Sequence, residues 1–324
     1  MKKIKGDIMM ELDILRFIQS FHTPFLDQLF EMITILGESS LIISIILGIY
    51  WCIDKTSGEY VAYSLFSSLM LNNTVKNIVK AKRPIGEEGI RSLRVHTATG
   101  YSFPSGHSQA AASTYGALYL LLKKYKYSIF FILIIILVGL SRLYLGVHYP
   151  KDVVGGIIIG SLMSYITYRL FVKVENRKLL YLLTLLVFLP AIFNSSSDFA
   201  RSIGGYSGFV LGIWFEMRYV NFQLSRSVFR RTMCFIIGIS SLLSIKMLFS
   251  CFMVETDYAK FISNMIISFY GFGLYPYLFN KVSLRSRIKA NLIKQIWIQT
   301  KTIKRNNHIA YKFCIISFHH KTAK

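Results

Sequence analysis

An all-α fold, a polytopic bundle of transmembrane helices with about nine spans, is what this sequence predicts, and three observations predict it. Hydrophobic residues make up 53% of the 324 positions and charged residues only 17%, a membrane composition. The apolar residues fall in blocks of roughly twenty, the length that crosses a bilayer core as a helix. Within those blocks there is no stripe of period 3.6 or 2, so whole segments are greasy all round.

Taking the elements in order, the stretch 12–33 is apolar on one side but holds Arg16, His22, Asp27 and Glu31, which suits a helix lying in the membrane interface. Residues 1–33 are therefore expected as an N-terminal interfacial segment, with a tenth crossing as the alternative. Lys2, Lys3 and Lys5 are followed by neither a continuous apolar core nor a small-residue cleavage site, so no cleavable signal peptide is expected. Spans are expected near 34–53, 58–75, 105–122, 127–146, 153–172, 178–193, 203–217, 232–252 and 261–280. A break near 174–178 divides a unit at 34–172, which holds every polar cluster of interest, from additional transmembrane helices at 173–280. Gly156 and Gly160, four apart with Gly155 beside them, leave one face of the fifth span smooth enough for close packing.

The net charge is +22, and half of it lies in residues 281–324, with eleven Lys or Arg and no Asp or Glu. Behind so many spans this reads as a basic cytoplasmic tail drawn to anionic lipid, not as a nucleic-acid module. Cys52, Cys234, Cys251 and Cys314 are far apart, and they indicate neither a disulfide framework nor a metal site. Lys and Arg in the short loops at 123–126, 173–178 and 218–231 place those loops in the cytoplasm. The loop 76–104 then faces outward although it is basic, and anion binding is a reason for that.

Three polar clusters sit at the outward ends of consecutive spans. Lys76, Lys80 and Arg83 share one helix face if the second span continues to Pro84, and fixed cations on one face make a phosphate clamp. The alternative is a solvated helix end. Tyr101-Ser102-Phe103-Pro104-Ser105-Gly106-His107 precedes an apolar helix, where free amides, a glycine and the Ser105 hydroxyl would cradle an anion. An ordinary N-cap beside an incidental histidine is the alternative. In the third cluster, Ser141-Arg142 is followed by His148, at a solvent-facing helix end, and by Asp152 one turn on. Asp152 would hold the imidazole Nδ1–H, or form a structural ion pair.

The combined pattern, Lys76–x6–Arg83-Pro84, Pro104-Ser105-Gly106-His107 and Ser141-Arg142–x5–His148–x3–Asp152, resembles the three-part signature of the type 2 phosphatidic acid phosphatase and haloperoxidase superfamily. The resemblance runs from about residue 24 to 172, implies that the unit at 34–172 is a lipid phosphatase catalytic domain, and leaves 178–324 outside it. It implies that His148 attacks phosphorus to form a phosphohistidine and that Asp152 orients it. It also implies that His107 protonates the leaving alkoxide and then activates water, while Lys76, Arg83, Ser105, Gly106, Ser141 and Arg142 hold the phosphoryl oxygens. No metal or other cofactor is implied. The expected partners are the bilayer and a lipid phosphate or diphosphate substrate, undecaprenyl diphosphate among them. The expected place is the cell membrane, with the site facing outward. Arg91, Arg94 and His96 are expected to hold a second phosphate. Two competing readings remain: a vanadate-dependent haloperoxidase using the same clamp, and a transporter or channel, for which Lys246 inside the eighth span is the main hint.

Overall fold

The computed structural model describes residues 2–194 and 196–281, so the expected basic tail lies outside the described residues except for Lys281. The elements below belong to the unit Met1–Pro276. They are α1 (Lys2–Gln19), α2 (Pro24–Ile35), α3 (Ser39–Cys52), α4 (Lys55–Val79), α5 (Gly106–Leu122), α6 (Ile129–Tyr144), α7 (Pro150–Lys173), α8 (Arg177–Phe188), α9 (Ser197–Phe215), α10 (Val228–Phe252) and α11 (Asp257–Phe269). No strand occurs among the described residues, and each expected span falls on a helix.

The stretch 12–33 is not one helix. Thr23 caps α2 by accepting the Leu26 amide, and Pro24 takes its first turn. A capping threonine with proline at the first helical position favours a helix start, and α1 and α2 are separate here. Leu12 and Leu15 of α1 pack with Leu143, Tyr149 and Val153, while Met9, Met10 and Phe17 remain exposed. The Gln19 amide donates to the carbonyls of Arg91 and Tyr144 and accepts from the Arg91 N–H. The N-terminal segment thereby braces the loop between α4 and α5.

Three segments, Lys126–Tyr144, Pro150–Lys173 and Val228–Phe252, are long and apolar enough to cross a membrane. A fourth counts if α2 and α3, bent by 48°, form one span. The others are shorter or more polar for a physical reason visible in α4. It is buried on nearly every side and carries Ser64, Ser67, Ser68, Asn72, Asn73 and Lys76 inward. A helix jacketed by other helices never meets lipid, so its polar groups need partners within the bundle instead of an apolar surface. Helices at the outside show the converse, with Phe130, Leu133 and Ile136 of α6 and Ile236, Leu243 and Met247 of α10 exposed.

Two contacts of this core position the polar clusters. A Cβ at Gly156 would sit 2.7 Å from the Ser105 carbonyl, and one at Gly160 2.5 Å from that of Gln109. The two glycines thus let α7 lie against the start of α5, and an alanine there would cost on the order of 1–3 kcal/mol through overpacking. From the other side, Gln109 Nε2 donates to the Ser68 carbonyl at 2.8 Å, and Asn72 Nδ2 donates to Gln109 Oε1 at 2.8 Å. Asn73 Nδ2 reaches the Asp198 carbonyl at 3.0 Å, tying α9 to the same end of α4.

Candidate active site

The helix carrying Lys76 stops earlier than its spacing implies. α4 ends at Val79, and Lys80 closes it in the left-handed region with φ 51°. Lys80 is exposed, and Arg83 leaves from a loop, so the three cations do not share a helix face. The reason lies elsewhere in the chain: the Ser102 N–H donates to the Ala81 carbonyl at 2.9 Å, and the carbonyls of 99–101 gather the Arg83 side chain. Arg83 Nε donates to Gly100 O at 3.0 Å, Nη2 to Thr99 O at 2.6 Å and Tyr101 O at 3.2 Å, and Nη1 to Val147 O at 3.0 Å. Burial pulls this guanidinium down to about 10, and it stays charged at neutral pH.

Arg83 Nη1 also lies 2.9 Å from His148 Nε2. Arginine offers only donors, so Nε2 must present its lone pair and the ring proton must sit on Nδ1. On that side Nδ1 is 3.5 Å from Asp152 Oδ2 and 3.4 Å from the Ser102 hydroxyl. Asp152 Oδ2 accepts from Ser102 Oγ and, at 2.9 Å, from the Tyr149 N–H. Asp152 Oδ1 has no partner. The serine and the carboxylate together therefore face the Nδ1 side. Ser102 is a residue that the motif reading quoted without a role; its complete burial becomes visible only in the fold. His148 is itself 1% exposed, not solvent-facing as expected. Burial, with Arg83, Arg142 and Lys76 nearby, holds its imidazole well below the ordinary 6.5.

A cavity of about 650 Å³ opens over this arrangement, and Lys76, Arg83, Gly106, His107 and His148 line it. A Cβ at Gly106 would meet only Asn72 Oδ1 at 3.6 Å and Lys76 Nζ at 3.8 Å. Packing therefore tolerates a side chain there, and what it would do is cover the Lys76 ammonium. The N–H groups of Gly106 and His107, at the start of α5, have no intrahelical acceptors. His107 Nε2 is buried without a partner.

The remaining four expected residues stand behind the cavity surface. Ser105 Oγ is turned inward as the cap of α5, accepting from Ser108 N at 3.4 Å and Ser108 Oγ at 2.9 Å. Ser141 Oγ donates to its own helix at Val138 O, 2.6 Å away. Neither hydroxyl faces the cavity as the cradle reading expected, because each satisfies the nearest free backbone or side-chain group. Asp152 lies behind His148. Arg142 is fully buried and donates Nη1 to Thr34 Oγ1 at 2.8 Å, while its Nε and Nη2 have no partner. A buried guanidinium with two unpaired nitrogens is costly unless an anion arrives.

Of the three residues expected to hold a second phosphate, His96 is exposed and does not line the cavity, and the two arginines are committed elsewhere. Arg91 is paired with Asp27 through bonds of 2.7 and 2.6 Å, and Arg94 with Glu38 at 2.5 Å. The chain order had put these partners more than fifty residues away, so their spending in ion pairs was not legible. The far wall of the cavity comes instead from α3, α10 and α11, including Ile43, Leu47, Leu242, Lys246, Phe249 and Ile267. Among the described residues no three His, Cys, Asp or Glu side chains cluster as metal ligands would.

Comparison with known proteins adds two family models: one described as the PAP2 superfamily matches residues 59–175, and one described as the PAP2 superfamily phosphatase, transmembrane extension, matches 200–287. The second match corrects the expectation that the chain beyond 178 stands outside the resemblance. The chain is 33% identical over 156 residues to phosphatidylglycerophosphatase B of Bacillus subtilis, covering 44% of this chain and 74% of that protein. It is 32% identical over 114 residues to an undecaprenyl-diphosphatase of Sulfolobus acidocaldarius, covering 35% of this chain and 54% of that one. Among solved structures, the first transmembrane PAP2 type phosphatidylglycerolphosphate phosphatase from Bacillus subtilis superposes with a TM-score of 0.46 at 26% identity, over 53% of this chain and 89% of that chain.

Proposed function

The chain belongs to the PAP2 superfamily of membrane lipid phosphatases, and we propose that it hydrolyses a lipid phosphate or diphosphate through a phosphohistidine on His148. The observation that carries this reading is the cavity itself. One end presents Lys76, Arg83, His107 and His148, and the other is apolar wall from α3, α10 and α11. A headgroup and a hydrocarbon tail fit such a space together; a soluble phosphate ester would leave the apolar part unfilled.

In the first step the Nε2 lone pair of His148 attacks the terminal phosphorus, the P–N bond forms, and the P–O bond from that phosphorus to the lipid oxygen, or in a diphosphate to the oxygen bridging to the inner phosphate, breaks. His107 gives its proton to the departing oxygen. In the second step water attacks the phosphohistidine, His107 takes a proton from that water, and the P–N bond breaks to free inorganic phosphate and neutral His148. Asp152 and Ser102 keep the proton on Nδ1 throughout. Arg83 must release Nε2 for the attack, and a phosphoryl oxygen is the acceptor that replaces it. Lys76, Arg142 and the amides of Gly106 and His107 take the other oxygens, while Ser105 and Ser141 act by holding the two helix ends in place. Positioned donors of this kind supply about 3–4 kcal/mol each to the transition state. With those cations in place the reaction proceeds without a metal.

The test is kinetic. In mixed micelles kcat/KM for undecaprenyl diphosphate, phosphatidylglycerol phosphate and phosphatidate is expected to exceed that for a soluble phosphomonoester by at least tenfold, to persist in EDTA, and to be blocked by vanadate. Equal rates on the soluble ester would end the lipid reading, and loss of activity in EDTA restored by Mg²⁺ would end the metal-free one.

We further propose that the helices at 34–172 and 173–280 cross the cell membrane about nine times, with the cavity at the outer face and residues 281–324 in the cytoplasm. The basic loops at 123–126 and 218–231 support this orientation. Cysteines placed at His96 and Lys124, both exposed, in a cysteine-free background are expected to label from opposite sides of intact cells. Only His96→Cys should react with an impermeant reagent added outside; reaction of Lys124→Cys instead would reverse the topology.

A further inference from the structure

Resting on the lipid phosphatase reading above, we infer that Lys246 holds a second, non-transferred phosphate group of the substrate, so that the enzyme favours lipids bearing two phosphate groups over lipids bearing one. In the loop expected to supply this function, Arg91 and Arg94 are neutralised by Asp27 and Glu38, and His96 does not line the cavity. Three cations line the cavity from the second half of the chain: Arg201, Lys246 and Lys260. Arg201 is paired with Asp198 at 3.0 Å, and Lys260 lies 3.8 Å from Glu255. Lys246 has no ion-pair partner among the described residues. Its hydrogen bond is to the Ser40 hydroxyl at 3.1 Å.

Lys246 is an exposed charge on an apolar helix, at a position that lines the cavity. α10 is an apolar, outward-facing helix, and a charge within such a segment marks function more often than packing. An exposed lysine on such a helix can run along its own helix to water. This one extends instead across to the first turn of α3, the positive end of that helix's dipole. Glu38 caps that helix end, but its carboxylate is engaged by Arg94 at 2.5 Å, so Lys246 keeps no carboxylate of its own among the described residues and is free to meet an anion in the cavity. Ser40 is three residues beyond Gly37, where a Cβ would stand 3.1 Å from the His107 carbonyl. Lys246 lines the same cavity as His107 and His148 without belonging to the clamp. A substrate held at both places spans from His148 to Lys246, with its hydrocarbon along Leu47, Leu242 and Phe249.

The second phosphate can be joined directly to the transferred one, as in a lipid diphosphate, or through a short spacer, as in a glycerol-linked phosphodiester. The experiment separates these sources. Wild type, Lys246→Ala and Lys246→Arg are assayed in mixed micelles against a lipid diphosphate, a lipid with a phosphomonoester spaced from a phosphodiester by glycerol, and a single lipid phosphomonoester with matched chains. For at least one two-phosphate lipid, Lys246→Ala is expected to lower kcat/KM relative to the single phosphomonoester by about tenfold, the worth of one charge-assisted hydrogen bond. The change should lie in KM, and Lys246→Arg should restore it. The arm that moves identifies the spacing. Because each ratio is taken on one preparation, the amount of folded protein cancels. If both ratios move by less than threefold, the inference fails while the lipid phosphatase reading stands; if wild type turns over none of the three lipids, it is the parent reading that fails.

Discussion

His148→Ala is expected to reduce kcat by about a thousandfold or more, the scale seen when a covalent nucleophile is removed, while leaving the folded protein intact. Arg83 would lose one of its acceptors but keep the carbonyls of Thr99, Gly100, Tyr101 and Val147, so the loop stays anchored. A labelled, acid-labile phosphoryl group trapped on wild type and missing from the variant is the direct readout. A variant retaining more than a few per cent of the rate would remove His148 from the nucleophile role. The pH profile carries the same assignment in a second form. His148 is held well below 6.5 by burial and by the cations around it, Arg83, Arg142 and Lys76, with His107 adding to them and Asp152 facing its other nitrogen. For a base with a depressed folded value, the neutral form survives to lower pH than in the unfolded chain. The acid limb of kcat/KM due to this group therefore falls below pH 6.5. By linkage, the unfolded chain takes up a proton there that the folded one refuses, so stability declines as the pH drops below that value.

Arg142→Met is expected to lower kcat by about a hundredfold to a thousandfold and yet to leave the thermal midpoint in detergent unchanged or higher. The two effects have one cause. In the free protein, Arg142 is a fully buried charge with Nε and Nη2 unpaired, and replacing such a group by an apolar one of similar length is commonly neutral or stabilising. In the proposed mechanism those same nitrogens take up the phosphoryl oxygens of the transition state, and methionine offers nothing in their place. Arg142→Lys separates charge from shape: it keeps a cation but loses the planar fork, and an intermediate rate is expected. A variant that is both fully active and less stable would show that Arg142 serves the fold alone.

Much of the site was legible in the chain because its marks are local. Pro150 opens α7 with Asp152 in its first turn, as the spacing from His148 implies, and Ser105 caps α5 immediately before Gly106 and His107. The Gly156 and Gly160 pair also read correctly as a packing face, since four residues return to one side of any helix. What was not legible concerns direction and partnership. Ser105 and Ser141 have the right chemistry for an anion cradle, but whether a hydroxyl points at the cavity or at its own helix depends on which acceptor is nearer. Arg91 and Arg94 looked free because Asp27 and Glu38 are distant in the chain. Ser102 stood in plain view within the second motif, and nothing local showed that it would be folded between His148 and Asp152.

The sequence by itself determined the helical membrane architecture, through apolar blocks of bilayer length, and the identity of the chemical groups, through motifs confined to a few turns each. Only the tertiary structure decided that α4 can carry a polar interior because other helices shield it from lipid. It also decided that the guanidinium of Arg83 covers the lone pair of His148, and that α10 brings Lys246 over the cavity. Hydrophobic length and helical spacing are properties of neighbours along the chain, whereas the pairing of Lys246 with Ser40 joins residues 206 positions apart and exists only once the bundle has closed.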